Sequence, residues 1–512
     1  MPNVKLDNKV VVKNPAGTII SAAAKIMRFM GASVVTQVGP ETQIDPNAGG
    51  GGGPVVIADG GTISGVYNNS VLLLGAVTVS DNTFIYGDLI QKATVAKNIN
   101  IASGKKLTVA GDLIGSTAFT NIALSSLITT GLIVFGDCFC KSIGSSAVPP
   151  GLDGGSVTIY GDLHITSYII TNGNNNGTGN GGSAGNVYVY GNLCALSNVS
   201  ISCIGGQAIG LVGNGGLGGN IILGGTIGYK ISINTSGGSS NVVSGDAGNV
   251  SILRSCNLST VTMNGGDNAG GSGGNAGNII LNGSAYLNGN VYLNGGNAIT
   301  GNGGSGGYFE STGPIIVASN GPAITLYANG GNVTGVGVVG NAGDAGYFYI
   351  LGSMQEGNIV ANGGSRSLAT NAGTAGNGRV LNQLFNLTNV SITSLGGANE
   401  AGSNAGKPTT NIYLHGNNVI STITMADGAT GIAPVGDTSL SIKGNVIFNK
   451  TDLTNLGGHT YRITPEGSNF ACTLKIGSMV GLNTLWGSGI VNPNDFFTSN
   501  GATWYKHAGV VA

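Results

Sequence analysis

Two short motifs recur along this chain in step with one another, and that synchrony limits what it can fold into. One series is "SVTIYGDL" from residue 156, "NVYVYGNL" from 186, "NIILGG" from 220, "NVSILRS" from 249, "NIILNG" from 278 and "NIYLHGN" from 411, with early steps of 30, 34, 29 and 29 residues. The other is "VSISCIGG", "ISINTSGG", "VTMNGG", "VYLNGG", "ITLYANGG", "IVANGG", "VSITSLGG" and "ITMADG". These begin at 199, 231, 261, 291, 324, 359, 390 and 423, at spacings of 32, 30, 30, 33, 35, 31 and 33. Two strand series that drift together by a few residues at a time describe one coil repeated many times, with loops of variable length.

Within each motif the apolar residues alternate: Val157 and Ile159, Val187 and Val189, Ile221 and Leu223, Ile279 and Leu281, Ile412 and Leu414. Period-two alternation puts them on one face of a strand. A single coil cannot enclose that face, but stacked coils bury it in a column, each strand hydrogen-bonded to those above and below. The expected fold class is therefore all-β: a right-handed parallel β-helix, or β-solenoid, with coils of about 24–35 residues and distinct N- and C-terminal caps. A helical fold is disfavoured, because no long stretch beyond the N-terminal segment shows a 3.6-residue period and glycine costs ~1 kcal/mol per helix position.

Upstream the coil is shorter. "YGD", "AGD", "FGD" and "YGD" end at Asp88, Asp112, Asp137 and Asp162, in steps of 24, 25 and 25, and the next step, of 30, ends at Asn192. The longer step coincides with the arrival of glycine runs such as "NGTGNGGSAG", "GNGGLGG" and "GGDNAGGSGGNAG". With 95 glycines in 512 residues the chain far exceeds the ~7% of ordinary proteins, yet 41% of it is apolar and patterned, which disordered chains are not. Loops recurring at one place in the coil are expected to stack as extended polyglycine II-like strands where only glycine permits close approach.

The chain divides into an N-terminal attachment or capping segment with a short helix at 1–47, a glycine-rich linker at 48–54, the repeat domain at 55–450, and a C-terminal β cap or small binding domain at 451–512. The helix is placed on "GTIISAAAKIMRFMGA", the linker on "QIDPNAGGGGGP". The C-terminal segment holds both tryptophans, and Tyr461, Trp486, Trp504 and Tyr505 are its candidate contact surface.

Chemistry is harder to place. The carboxylates Asp88, Asp112, Asp137 and Asp162 form a column that a glycan-cleaving enzyme could use as acid and base. All four instead occupy the same position after glycine, where an Asx-turn explains them, and Asn192 follows in the series although an amide cannot replace a catalytic acid; the ladder is read as structural. His164, His415, His459 and His507 lack a partner at metal-ligand spacing, and the six cysteines show neither a disulfide framework nor a zinc spacing. "CFC" at 138–140 puts two small half-buried side chains on one side of a strand. Asp246, Asp267 and Asp344 are too sporadic for a calcium-binding repeat. No catalytic residue, metal or cofactor is expected.

Charged residues make up only 8% of the chain, with a net charge of −1, so there is no basic face for nucleic acid. No apolar run is long enough for membrane insertion, and the N-terminus lacks the apolar core of a secretory signal, which predicts synthesis in the cytosol.

The "GGSGGNAGN" and "NVYVYGN" repeats, flanked by distinct ends, resemble those of viral or bacteriophage fibres, tailspikes and glycine-rich adhesins. The resemblance is architectural and covers residues 55–450. It implies a non-enzymatic structural or adhesive protein of a virion surface or extracellular fibre. Such a protein would be a homo-oligomer, with a trimer favoured, or would assemble with other fibre subunits, displaying loops toward a host-surface glycan or protein. A polysaccharide-degrading tailspike and a cellular surface adhesin or extracellular filament subunit are the alternatives.

Overall fold

A computed structural model describes residues 54–454 except 93, 125–129, 145–149, 319–322, 336–339, 367–374, 378–381, 400–402, 409–410, 429 and 431–435. In the flanks it describes strands only, at 3–5, 12–13, 19–21, 26–28, 34–38, 41–45, 459–465, 472–480, 496–499 and 504–507. The described residues are all-β with no helix, and most of their strands pair in parallel. They fall into two units that interleave in sequence: Met1–Asn174 with Ala184–Cys203 and Asn220–Ile231, and Asn175–Ser183 with Ile204–Gly219 and Ser232–Ala512.

In the first unit, alternation sends every second side chain inward and parallel pairing aligns equivalent positions, giving three apolar columns. One runs Ile85, Val109, Val134, Ile159, Val189, Leu223. A second runs Val79, Ile101, Leu124 and, from the neighbouring register, Ile122, Ile143, Ile169, Ile201. The third is a sheet of very short strands, Val55–Ile57, Val71–Leu73, Leu89–Gln91, Leu113–Ile114, Cys138–Cys140, Leu163–Ile165 and Leu193–Ala195. Its interior column is Val71, Leu89, Leu113, Cys138, Leu163, Leu193, all buried. Cys138 and Cys140 are both wholly buried rather than half-buried, because strand alternation aims both thiols into this column. Their mutual hydrogen bond, then burial, pushes the Cys138 thiol well up.

The second unit also stacks its strands in parallel register. Ile252, Leu281, Ser311, Ile350, Leu384 and Leu414 align in one column, and Val261, Val291, Leu326, Ile359, Ile392 and Ile423 in another. Phe309 and Phe348 lie fully buried with ring centroids 6.0 Å apart. Parallel pairing continues past residue 450: Asn411–Ala426 pairs with Gly436–Thr454, which pairs in turn with His459–Pro465 and Cys472–Val480. Antiparallel pairing then begins, Cys472–Val480 with Phe496–Ser499 and that strand with Trp504–His507.

Within "GTIISAAAKIMRFMGA", on which a helix is expected, the described residues are strand and not helix. Ile19–Ser21 is a strand antiparallel to Val12–Lys13, and Ile26–Arg28 is a strand antiparallel to Asn3–Lys5. The β-branched pair Ile19 and Ile20 lowers helix propensity, and cross-strand partners supply the backbone bonds a helix would have made. Residues 48–53 of the expected linker lie outside the described residues.

Candidate functional site

The turn series comes together as a ladder, with bonding different from an Asx-turn. Asp88 Oδ1 accepts from the backbone N–H of Asp112 at 2.9 Å, Asp112 Oδ1 from Asp137 at 2.9 Å, Asp137 Oδ1 from Asp162 at 2.8 Å, and Asp162 Oδ1 from Asn192 at 2.7 Å. Asn192 Oδ1 continues it by accepting from Thr226 at 3.0 Å. Each side chain therefore caps the equivalent residue of the following turn of chain instead of its own backbone. Aspartate and asparagine are equivalent here because the bond needs one acceptor oxygen and no charge. Beside the ladder the aromatic of the same motif forms a stack: Phe135 on Tyr160 at 4.9 Å and 3°, and Tyr160 on Tyr190 at 5.1 Å and 15°. The signal for this column stood in "FGD", "YGD" and "YGN" themselves and passed unread.

In the second unit the same side-chain device governs the glycine segments. In the triplet Gly273–Gly274–Asn275, Gly273 N–H donates to Asn302 O at 2.9 Å, Gly274 N–H to Gly266 O at 2.9 Å, and Asn275 N–H to Asp246 Oδ1 at 2.6 Å. The next triplet does likewise: Ala276 donates to Ser305 O at 3.0 Å, Gly277 to Met263 O at 3.0 Å and Asn278 to Asn249 Oδ1 at 2.9 Å. Successive residues thus bond three different neighbours, and the third, Asn275 or Asn278, is the exposed one. Asp246, Asp267 and Asp344 occupy such third positions and accept from Asn275, Asn297 and Asn377.

The middle glycines join into one unbroken backbone path. In it Gly206 donates to Gly182, Gly216 to Gly206, Gly238 to Gly216, Gly245 to Gly238, Gly266 to Gly245, Gly274 to Gly266, Gly296 to Gly274 and Gly304 to Gly296, at 2.7–3.0 Å. It continues through Gly331, Gly343, Gly364, Gly376, Gly397, Gly406 and Gly428, at 2.8–2.9 Å. From Gly216 to Gly428 no glycine of the path has room for a side chain. A Cβ on Gly274 would stand 2.0 Å from Gly245 O, one on Gly304 1.8 Å from Gly274 O, and one on Gly296 2.0 Å from Gly266 O.

Outside this path lies a groove of about 530 Å³ lined by the third-position side chains Gln207, Ser239, Asp267, Asn297 and Asn332, with Ile209 and Ile299 among its apolar neighbours. The loop tips nearby expose large apolar residues, Leu211 most of all at 88%. Of the C-terminal aromatics, Tyr461 lies in the strand His459–Pro465 opposite Thr438, while Trp504 and Tyr505 lie opposite Ser499 and Thr498. Trp486 is outside the described residues.

The structure also groups side chains that sequence spacing kept apart. Asp162 lies two residues before His164, in the turn that leads into the strand Leu163–Ile165, and Cys194 pairs directly opposite His164 on the next strand. Their ligand atoms lie within 4.8 Å of one another, and all three residues are half-buried. The His164 ring stacks on Phe139 at 4.2 Å and 7°. Burial, then the carboxylates of Asp162 and Asp137, pushes the Cys194 thiol up. Cys138, Cys140, Cys194, Cys203 and Cys256 are free thiols, and burial raises Cys203 and Cys256 to about 12.

No family model, no curated protein and no solved structure matches the chain.

Proposed function

We propose that this chain is a non-enzymatic structural and adhesive shaft of a virus or phage particle surface, built as a right-handed β-solenoid with a polyglycine II-like layer. Right-handed crossovers are the rule for parallel strands in one sheet. A polyglycine II strand has three residues per turn and no internal hydrogen bonds, which suits three successive N–H groups bonding three different neighbours. The carrying observation is the continuous backbone path from Gly182 to Gly428. It saturates main-chain donors with main-chain acceptors and relies on no ion pair, so high salt and proteases have little to act on.

The adhesive part of the reading rests on the loop tips and on the groove. Amide and carboxylate side chains such as Asn297, Asn332 and Asp267 offer the donors and acceptors that sugar hydroxyls pair with, beside the aliphatic side chains of Ile209 and Ile299. The ladder Asp88, Asp112, Asp137 and Asp162 is assigned to holding turns together, the Oδ1 of each being committed to a backbone N–H.

Mass photometry and electron microscopy of the purified chain test this reading: elongated particles of trimer mass are expected, and round monomers overturn it. Incubation with host capsule or cell-wall glycan is expected to show binding without cleavage. Release of reducing ends would establish a depolymerase instead.

A further inference from the structure

We infer that Asp162, His164 and Cys194 form a binding site for a divalent cation of the zinc class. The inference starts from the sheet. Asp162 stands in the turn that leads directly into the strand Leu163–Ile165, two residues before His164, and its carboxylate lies close to the imidazole. Parallel pairing sets His164 opposite Cys194, so the three side chains converge although thirty residues of chain separate the strands. Carboxylate oxygen, imidazole nitrogen and thiolate sulfur are the three donor types that zinc takes, at ~2.0–2.3 Å. Tetrahedral coordination at those lengths places donors about 3.3–3.6 Å apart, so side chains whose atoms already lie within 4.8 Å close on an ion by about an ångström of movement.

The surroundings hold two of the three groups in place, as outer-shell contacts do in metal sites. Asp162 Oδ1 is fixed by the Asn192 N–H at 2.7 Å, and its Oδ2 has the Asn192 amide at 3.3 Å. The His164 ring lies flat on Phe139 at 4.2 Å. Half-burial leaves the fourth position to water or to a partner's side chain. Sulfur and imidazole together favour zinc, cobalt or cadmium over magnesium and calcium, which prefer all-oxygen sites. On binding, the Cys194 S–H bond breaks, its proton passes to solvent and its electron pair enters the metal–sulfur bond.

The test uses the purified full-length chain and Co²⁺ as a visible-light reporter, with Zn²⁺ in competition. One equivalent of Co²⁺ is expected to give the intense d–d bands of a four-coordinate ion and a thiolate-to-metal charge-transfer band, both erased by Zn²⁺. Three variants that preserve the fold identify the ligands. Asp162→Asn keeps the ladder bond as Asn192 does, His164→Phe extends the stack on Phe139, and Cys194→Ser keeps the side-chain size. Each is expected to weaken binding at least ~100-fold, and Cys194→Ser to abolish the charge-transfer band. Alkylation of Cys194 followed by mass spectrometry gives a second readout, with Zn²⁺ protecting this thiol. Absence of stoichiometric binding, a purely octahedral cobalt spectrum, or undiminished binding in the three variants would overturn the assignment.

Discussion

Placing a single methyl group in the glycine path, by Gly274→Ala, tests whether close backbone approach is what requires glycine there. The new Cβ would lie 2.0 Å from Gly245 O, 2.7 Å from its carbonyl carbon and 3.0 Å from Gly266 N, all backbone atoms that cannot rotate away. Restoring an ordinary contact requires more than about an ångström of separation, which breaks the 2.9 Å bond to Gly266 and the 2.8 Å bond from Gly296. Two net backbone bonds contribute about 2 kcal/mol, and overpacking strain adds about 1–3 kcal/mol. The lower entropy of an unfolded chain carrying alanine offsets about 0.4–1 kcal/mol. The expected net loss is thus about 2–4.6 kcal/mol, concentrated locally because a repeat array opens in segments. Native-state hydrogen exchange should show the amides of Gly266, Gly274 and Gly296 exchanging at least ~30-fold faster. Gly177→Ala is the control: nothing lies within 4 Å of its Cβ position, so protection should be unchanged. Equal exchange and equal melting in the two variants would refute the reasoning.

Three further outcomes follow from the same structure. Asp112→Ala removes the acceptor for the Asp137 N–H and should cost about 1 kcal/mol in denaturant unfolding, whereas Asp112→Asn should be neutral, as Asn192 already is at its own rung. Phe309→Ala empties a fully buried site beside Phe348 and should cost about 3–5 kcal/mol, seen as loss of soluble protein or a lowered melting temperature. Burial raises the folded-state Cys203 thiol to about 12, above its unfolded value. Its stabilising contribution is therefore complete below about pH 8.5 and lost as pH rises toward 12. Melting temperature against pH should decline across that range, less steeply in Cys203→Ala, with Cys203 unreactive to alkylation until the fold opens.

How much of this was legible in the sequence depends on the range of the interaction. Alternation at Val157 and Ile159, or Ile279 and Leu281, is a local property of a strand, so it revealed the all-β class and which side chains face inward. The recurrence of glycine runs such as "GNGGLGG" at one place in the coil marked where the glycine segments lie. It did not reveal that Gly273, Gly274 and Asn275 bond three separate neighbours, since that needs the register between turns. Strands as short as Leu113–Ile114 carry too few residues for a period to be recognised, so the third column of the first unit was missed apart from "CFC".

The sequence by itself determined that the chain is built of repeated strands with apolar interiors, because strand geometry converts alternation into a face without reference to the rest of the molecule. Only the tertiary structure decided which residues meet across turns. Asp162 reaches the N–H of Asn192, His164 faces Cys194, and Ile19–Ser21 and Ile26–Arg28 pair as strands rather than joining in a helix. The physical reason is that these contacts depend on register, and register is set by loop lengths that vary from one turn to the next, so spacing along the chain does not give distance in space.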